Sequence, residues 1–345
     1  MKLYKYRYGS KRDLESLKSD YFYAPHPSQL NDPFEGRFDE SLFYTRFDEL
    51  EKNYRQSTSS IKEAADVVFA KIRENVGIFS LSKTQIDELL WAYYADSHCG
   101  FCIEYDFEKL TALKQITASF DVDYKEYSPM GNIDPSNELN AAEILKDTSG
   151  TKSLSWEHEK EYRICVEPVG ILNYDFRAVK AIYFGLRMPR FSKDLGENNK
   201  KLTKELVKVS QQQVMVALKG RGIKYYQIVL KPNSYKLDFQ EVEDIYKNAQ
   251  KYKDKVSVIS KDLIDYNDYG YGIEKHYFDK VEEIISREPY FYKLNSIHIS
   301  KEESIRSKEP VIFAGFFVEN NLIQIKRYFT LRQIVEEHQS LHFEK

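Results

Sequence analysis

Cysteine is scarce in this chain: three occur, Cys99, Cys102 and Cys165, among 345 residues. That is too few for a disulfide framework and fits a reducing compartment. The Cys99-Gly-Phe-Cys102 spacing is that of redox and zinc sites. A four-ligand zinc site needs a second such pair, however, and the sequence has none. The two cysteines read more simply as packing residues of "HCGFCIEYDF", and no metal is expected. Long hydrophobic runs are missing too. No apolar stretch approaches the roughly 20 residues of a spanning helix, and "MKLYKYRYGS" lacks the apolar centre of a signal peptide. The expectation is a cytoplasmic protein without membrane contact. Neither charge sign dominates. Basic side chains number 51 and acidic ones 54, without a basic block, so the charge does not indicate nucleic acid. No G-x-S-x-G elbow surrounds any serine, which argues against a nucleophilic-serine hydrolase.

What is present is an ordinary globular composition, 42% hydrophobic and 30% charged, in a chain long enough for two domains. The 27 tyrosines stand out. Many lie on alternating runs, where tyrosine is a common half-buried strand residue and could also line a groove for a planar ligand. "KLYKYRY" at 2–8 has the period of a strand, and a short helix from Ser10 or Lys11 turns Leu14 and Leu17 inward. Further strands are expected at 20–25, 78–82, 100–105, 119–124, 161–167, 179–184 and 223–230. Helices are expected through Ile61, Ala64, Ala65, Val68, Phe69 and Ile72, stopped by Gly77, then from Gln85 to Ala95, and over a long span from Lys200 to Lys219.

After residue 237 the pattern restarts, with helices at 239–252 and 273–286. A hairpin "VIFAGFFVENNLIQIKRYF" turns at Asn320-Asn321, and a last helix is opened by Thr330 with Gln333 at capping-box spacing. Strands and helices are interspersed without a strict βαβ rhythm. That predicts an α+β fold: residues 1–237 form a mixed or split sheet with flanking helices, and 238–345 a smaller α+β domain for target recognition or dimerisation.

Several segments carry chemistry. Arg7 on the opening strand could pair bidentately with a phosphate or carboxylate, or be a salt-bridged surface group. "LNDPFEG" places Asn31, Asp32, Pro33, Glu35 and Gly36 in a rigid turn near a pocket. Asp32 and Glu35 alone are a poor cage for a hard cation. In "IFSLSK", Ser80 and Ser82 share a face that leaves room for a flat ligand. "LLWAYYADSHCGFC" offers Trp91, Tyr93, Tyr94, Asp96 and His98 where a helix meets a strand. His98 there is either a base oriented by Asp96 or part of a cap. In "WEHEKEYRI", period 2 sets Glu157, Glu159, Glu161 and Arg163 on one side, provided the strand starts that early. Such a row is either a solvated, salt-bridged face or the rim of a cleft in which adjacent carboxylates split acid and base roles.

Taken in order, "LYKYR", "LNDPFEG", "SLSK…LLWAYYADSHCGFCIEYD", "WEHEKEYRI", "IYFGLRM" and "IKYYQIVLKPNSYKL" resemble the bacterial family known as domain of unknown function 2971, across about residues 1–237. A second resemblance is to ADP-ribosyltransferase-like proteins, which order an Arg or His, then a Ser or Tyr, then a Glu of a Glu-x-Glu pair on successive strands. Arg7, Ser80 or Ser82, and Glu159-Lys160-Glu161 stand in that order. The resemblance implies NAD as substrate, with Arg7, Ser80 and Ser82 on the cofactor and Glu161, partnered by Glu159, on the ribose as nicotinamide leaves. Asn31 and Tyr93 complete the ligand-facing candidates.

The expected role is then a bacterial toxin or phage-defence effector acting on a nucleotide-type small molecule, with a protein target or antitoxin and a homo-oligomer as candidate partners. Two other readings stand beside it. One is a non-enzymatic sensor with a tyrosine-lined cleft, and the other a metal-dependent nuclease using Asp32, Glu35 and His98.

Overall fold

The computed structural model describes the chain apart from residues 33, 35–39, 56, 113–115, 127–144, 147, 197, 198, 200, 201, 204, 205, 248–258, 289, 290, 319–323 and 342–345. Pro33, Glu35 and Gly36, the Asn320-Asn321 turn and Lys200 therefore lie outside the described residues. The protein is α+β. Residues 1–217 and 223–243 form one compact unit, and residues 218–222 and 244–345 a second.

The first unit is built on an eight-stranded sheet with the order β12 (Leu237–Val242), β11 (Lys224–Leu230), β10 (Val179–Phe184), β4 (Phe101–Asp106), β1 (Lys2–Arg7), β3 (Gly77–Ser82), β8 (Glu161–Val166) and β5 (Ile116–Asp121). Neighbours are antiparallel except β10 and β11, which makes the sheet mixed. β1 is laddered along its length to β4, from Lys2↔Asp106 to Arg7↔Phe101. To β3 it is joined by one registered pair, Tyr4↔Ser82.

Paired residues share a face of the sheet. Tyr4 thus goes with Ser82, Ser82 with Glu161, and Ser80 with Arg163, while Leu3, Lys5 and Arg7 belong to the opposite face by alternation along β1. The first face is covered in part by α4 (Glu88–Tyr94), which follows α1 (Lys11–Lys18), α2 (Glu40–Tyr54) and α3 (Ser59–Asn75) in the chain and whose Leu90 and Trp91 pack with Tyr4, Tyr6, Cys102 and Tyr183. On the other face Phe79 stacks on Phe22 at 4.1 Å. Phe22 belongs to β2 (Tyr21–Ala24), which pairs with β9 (Gly170–Asn173).

Local signals explain much of this. Ser10 caps α1 (Lys11–Lys18) reciprocally, its hydroxyl accepting from Asp13 N at 3.3 Å while the Asp13 carboxylate accepts from Ser10 N at 3.0 Å. Asp87 accepts from both Leu89 N and Leu90 N at 3.0 Å, so α4 begins at Glu88 and not at Gln85. Gly77 is not a helix terminator. It opens β3, and a Cβ there would meet the Ala24 carbonyl oxygen at 2.6 Å, so the absent side chain admits β2. Gly100 has the same use before β4, since a Cβ would lie 2.0 Å from the Arg7 carbonyl oxygen.

The helix expected over 200–219 is only Gln211–Ala217. Ser210 and Gln213 cap its start reciprocally. The residues before it bond to another segment, Lys11 N to Val207 O at 2.7 Å and Val209 N to Gly9 O at 2.9 Å, which removes them from any helix. Residues 119–124 are two strands, β5 and β6 (Asp123–Lys125), parted at Val122. The start of the helix expected at 239–252 is strand instead, because β12 completes the open side of β11 from Tyr225↔Val242 to Leu230↔Leu237.

The second unit holds an antiparallel sheet of β13 (Phe291–Ile299), β14 (Val311–Val318) and β15 (Gln324–Thr330). Its core joins Phe278, Val281 and Ile285 of the helix Lys275–Ser286 to Ile297, Ile312 and Phe329 of the strands. Thr330 and Gln333 form the expected capping box on the helix Leu331–Ser340. No helix of the described residues is long and apolar enough to cross a membrane.

Candidate functional site

Where β1 and β3 share a single pair, a cleft of about 230 Å³ opens in the first unit. Ser80 and Ser82 line it from β3, Tyr4, Lys5 and Tyr6 from β1, Asn31 from the turn-rich loop and Tyr94 from α4. Lys152, Glu159 and Glu161 add its charged side chains besides Lys5.

The two glutamates do not arrive on one extended strand. Residues Leu154–Glu159 form a 3₁₀ helix capped by Ser153, and Lys160 is left-handed at φ 45°. β8 begins only at Glu161. Glu157 therefore takes no part in a strand face and stays exposed, whereas Glu159 and Glu161 are both buried and converge on one ammonium. Lys152 Nζ, from β7 (Thr151–Ser153), lies 2.6 Å from Glu159 Oε2 and 3.2 Å from Glu161 Oε2. The Lys152 ammonium also stands 4.7 Å from the centre of the Trp156 ring.

Glu161 is further held by Arg163, which is fully buried. Arg163 Nε donates to Oε1 at 2.9 Å and Nη2 to Oε2 at 3.1 Å, a bidentate pair. Its Nη1 donates to the Ser149 carbonyl. Glu159 Oε1 accepts from the Tyr94 hydroxyl at 2.7 Å.

Burial alone would raise the Glu161 carboxyl. Arg163 and Lys152 outweigh it, with the Ser80 hydroxyl assisting, and bring the group to about 2. Glu161 is thus a permanent carboxylate near neutral pH and neither gives nor takes a proton there. For Lys152, burial opposes the charge and the two glutamates more than restore it, so its pKa is raised. Tyr94 is raised by burial and then by Glu159, which keeps its hydroxyl a donor.

Lys5 behaves differently. Its ammonium turns into the gap between β1 and β3 and donates to the Ser80 carbonyl oxygen at 2.7 Å, with the Phe79 ring centre 5.0 Å away. Burial, then the neighbouring Arg7, lower it to about 7.

Of the residues singled out in the sequence, Asn31, Ser80, Ser82, Glu159 and Glu161 line this one cleft. Ser82 is already engaged, since its hydroxyl donates to the Glu159 carbonyl at 2.7 Å and accepts from Thr84 N at 3.1 Å. It fixes the backbone beneath Glu159. Arg7 does not line the cleft. Strand alternation places it on the opposite face from Ser82 and Glu161, with its guanidinium 6.0 Å from the Phe79 ring centre. Tyr93 is 60% exposed and points away, whereas its neighbour Tyr94 is the cleft residue.

Asp32 bonds within its own loop, accepting from Phe34 N at 2.9 Å. Asp96 pairs with Lys208 at 2.6 Å and His98 stacks on Trp91, so Asp96 does not orient the imidazole. Among the described residues no three His, Cys, Asp or Glu side chains are grouped for a metal ion.

Sequence reading passed over Lys5 and Lys152, and of the two adjacent tyrosines it named it took Tyr93, not Tyr94, as the ligand-facing one. The period of "KLYKYR" put Lys5 beside Arg7, and nothing in the linear pattern shows that the β1/β3 ladder stops early. Lys152 lies in a three-residue strand outside any quoted motif.

The fold and cleft define an α+β protein with a polar, ion-paired site on a mixed sheet. In comparison with known families, residues 90–164 match the family described as Protein of unknown function (DUF2971). The chain resembles that family over this segment, which runs from α4 into β8 and includes Tyr94, Lys152, Glu159 and Glu161. No curated protein and no solved structure matches the chain.

Proposed function

We propose that the cleft binds a nucleotide-type ligand and that its chemistry is cleavage of the nicotinamide N-glycosidic bond of NAD. The observation that carries this reading is the convergence of two buried carboxylates, Glu159 and Glu161, with Ser80 in one cleft. In that reaction the bond from ribose C1′ to the pyridinium nitrogen breaks, its electron pair neutralises the ring, and positive charge develops on the sugar. A fixed carboxylate opposes that charge without reorganising.

The two glutamates divide the work. Glu161 is balanced by a bidentate arginine and serves to position Arg163 and β8. Glu159 shares Lys152 and has a neutral hydroxyl as its other partner, so it keeps the larger share of negative charge toward the ligand. Water or a protein side chain then adds to C1′ and loses a proton. A cell would use such an activity as a toxin or a phage-defence effector, and the second unit would serve target recognition or dimerisation.

The full chain incubated with NAD should release nicotinamide, and Glu159→Gln should reduce the rate at least about 100-fold, the scale of losing one electrostatic stabiliser. Absence of release by the wild type, alone or with cell extract as acceptor, would remove the reading.

One observation favours a second reading, a binding module without catalysis: all four carboxylate oxygens of the glutamate pair already accept from protein donors. In that case NAD or ADP-ribose binds, stays intact, and binds Glu159→Gln as tightly as wild type.

A further inference from the structure

Three cations stand at the cleft and its floor, and two are neutralised from within. Lys152 meets Glu159 and Glu161, and Arg163 meets Glu161. The third, Lys5, has no carboxylate within ion-pair distance among the described residues, and its hydrogen bond goes to a neutral acceptor, the Ser80 carbonyl. With Lys5 protonated, the set of Lys5, Lys152 and Arg163 against Glu159 and Glu161 carries one uncompensated positive charge.

We infer that the cleft takes a phosphate-bearing ligand whose anionic group is met by the Lys5 ammonium. The inference rests on the reading of the cleft as a nucleotide site and names the part of the ligand that site holds. It also moves the anion-binding role from Arg7, which faces the other side of the sheet, to the residue two positions earlier that reaches through the gap.

The gap is what makes this work. Had the β1/β3 ladder continued past Tyr4↔Ser82, the Ser80 carbonyl would face a strand amide and would not be open to the Lys5 ammonium. Instead the carbonyl aims the ammonium, while the Asn31 amide lines the same cleft and can donate to a phosphate oxygen.

The charge on Lys5 is conditional. Burial and Arg7 on its own strand disfavour it. Glu161 on β8, Glu159 on the 3₁₀ helix and Asp13 on α1 favour it without touching it, and the balance leaves the amine near 7. Of the other titratable groups around the cleft, Tyr94 from α4 and Tyr4 and Tyr6 from β1 are raised by burial and so neutral, and Lys152 from β7 is already committed to the glutamates. A bound phosphate adds a partner for the ammonium and raises its pKa. Binding above neutral pH therefore takes up a proton, so affinity is complete below about pH 7 and falls as pH rises.

The test is calorimetric titration of the full chain with ADP-ribose, whose diphosphate is a diester and holds its charge between about pH 6 and about pH 9. Wild-type affinity should fall by up to about tenfold per pH unit above about 7. Lys5→Arg, always charged, should bind with no such slope, and Lys5→Met should bind weakly at every pH. Thermal midpoints of the variants show whether they fold, and Lys5→Arg keeps the test decisive if Lys5→Met does not.

A flat wild-type profile, a Lys5→Arg profile that falls like the wild type's, or no binding of ADP-ribose at all overturns the inference. Nicotinamide release alongside flat binding would overturn this inference alone. Sloped binding without release would overturn the proposed cleavage and leave the phosphate site standing.

Discussion

Arg163 is the side chain on which the cleft floor depends. It is fully buried, and its guanidinium is spent on Glu161 and the Ser149 carbonyl. Removing one partner of such a pair leaves the other charged, desolvated and alone, which costs far more than the pair contributes. Arg163→Met should therefore lose about 3–5 kcal/mol in urea unfolding, and Glu161→Gln in the same chain should restore part of it. The pH profile carries the sign of the same interaction. The Glu161 carboxyl lies at about 2 in the fold against an ordinary 4.5, so its stabilisation is present above about 4.5 and is lost as pH falls toward 2. Urea midpoints of the wild type should drop through that window more steeply than those of Glu161→Gln. Residue types at this scale were legible: a Glu-x-Glu pair followed by an arginine admits either an ion-pair network or the rim of a cleft, and here it makes both. Which partners meet was not, because Lys152 and Tyr94 come from separate elements.

At the scale of elements, caps and close approaches decided the boundaries. Ser10 with Asp13 and Thr330 with Gln333 start helices where local chemistry says they should. The same rule places the start of Gln211–Ala217 at Ser210 with Gln213, inside the longer helix expected from Lys200 to Lys219. The glutamate row of "WEHEKEYRI" looked like one strand and is a 3₁₀ helix, a left-handed Lys160 and then a strand. The two readings share polar spacing and differ only in backbone. Gly77 makes a sharper test. Its expected use as a helix stop would tolerate alanine cheaply, whereas its observed contact with Ala24 does not. Gly77→Ala should lower stability by about 1–3 kcal/mol through displacement of β2, read as a lower thermal midpoint.

The whole molecule divides into two units with separate cores. The cleft belongs to the first, so a lesion confined to the second should leave it intact. Phe278, wholly buried in the second core, is the place to cut. Phe278→Ala should destabilise that unit by about 3–5 kcal/mol. A calorimetric scan should show one transition moved and the other unmoved, with ADP-ribose binding at low temperature unchanged.

Composition and periodicity were sufficient for the α+β class, the strand β1, the hairpin of β14 and β15, and the capped last helix, because each rests on contacts within a few residues or on alternation along one segment. They also reached a serine strand and a Glu-x-Glu segment that do line one cleft. Only the tertiary structure decided that β1 parts from β3 after a single pair, which turns Lys5 into the gap and leaves Arg7 on the far face. Strand registry is a relation between segments some 78 residues apart, Tyr4 and Ser82, and no local pattern encodes where a ladder stops. The charge state of the cleft follows from that same event, since a lysine's proton depends on what surrounds it in space and not on what adjoins it in the chain.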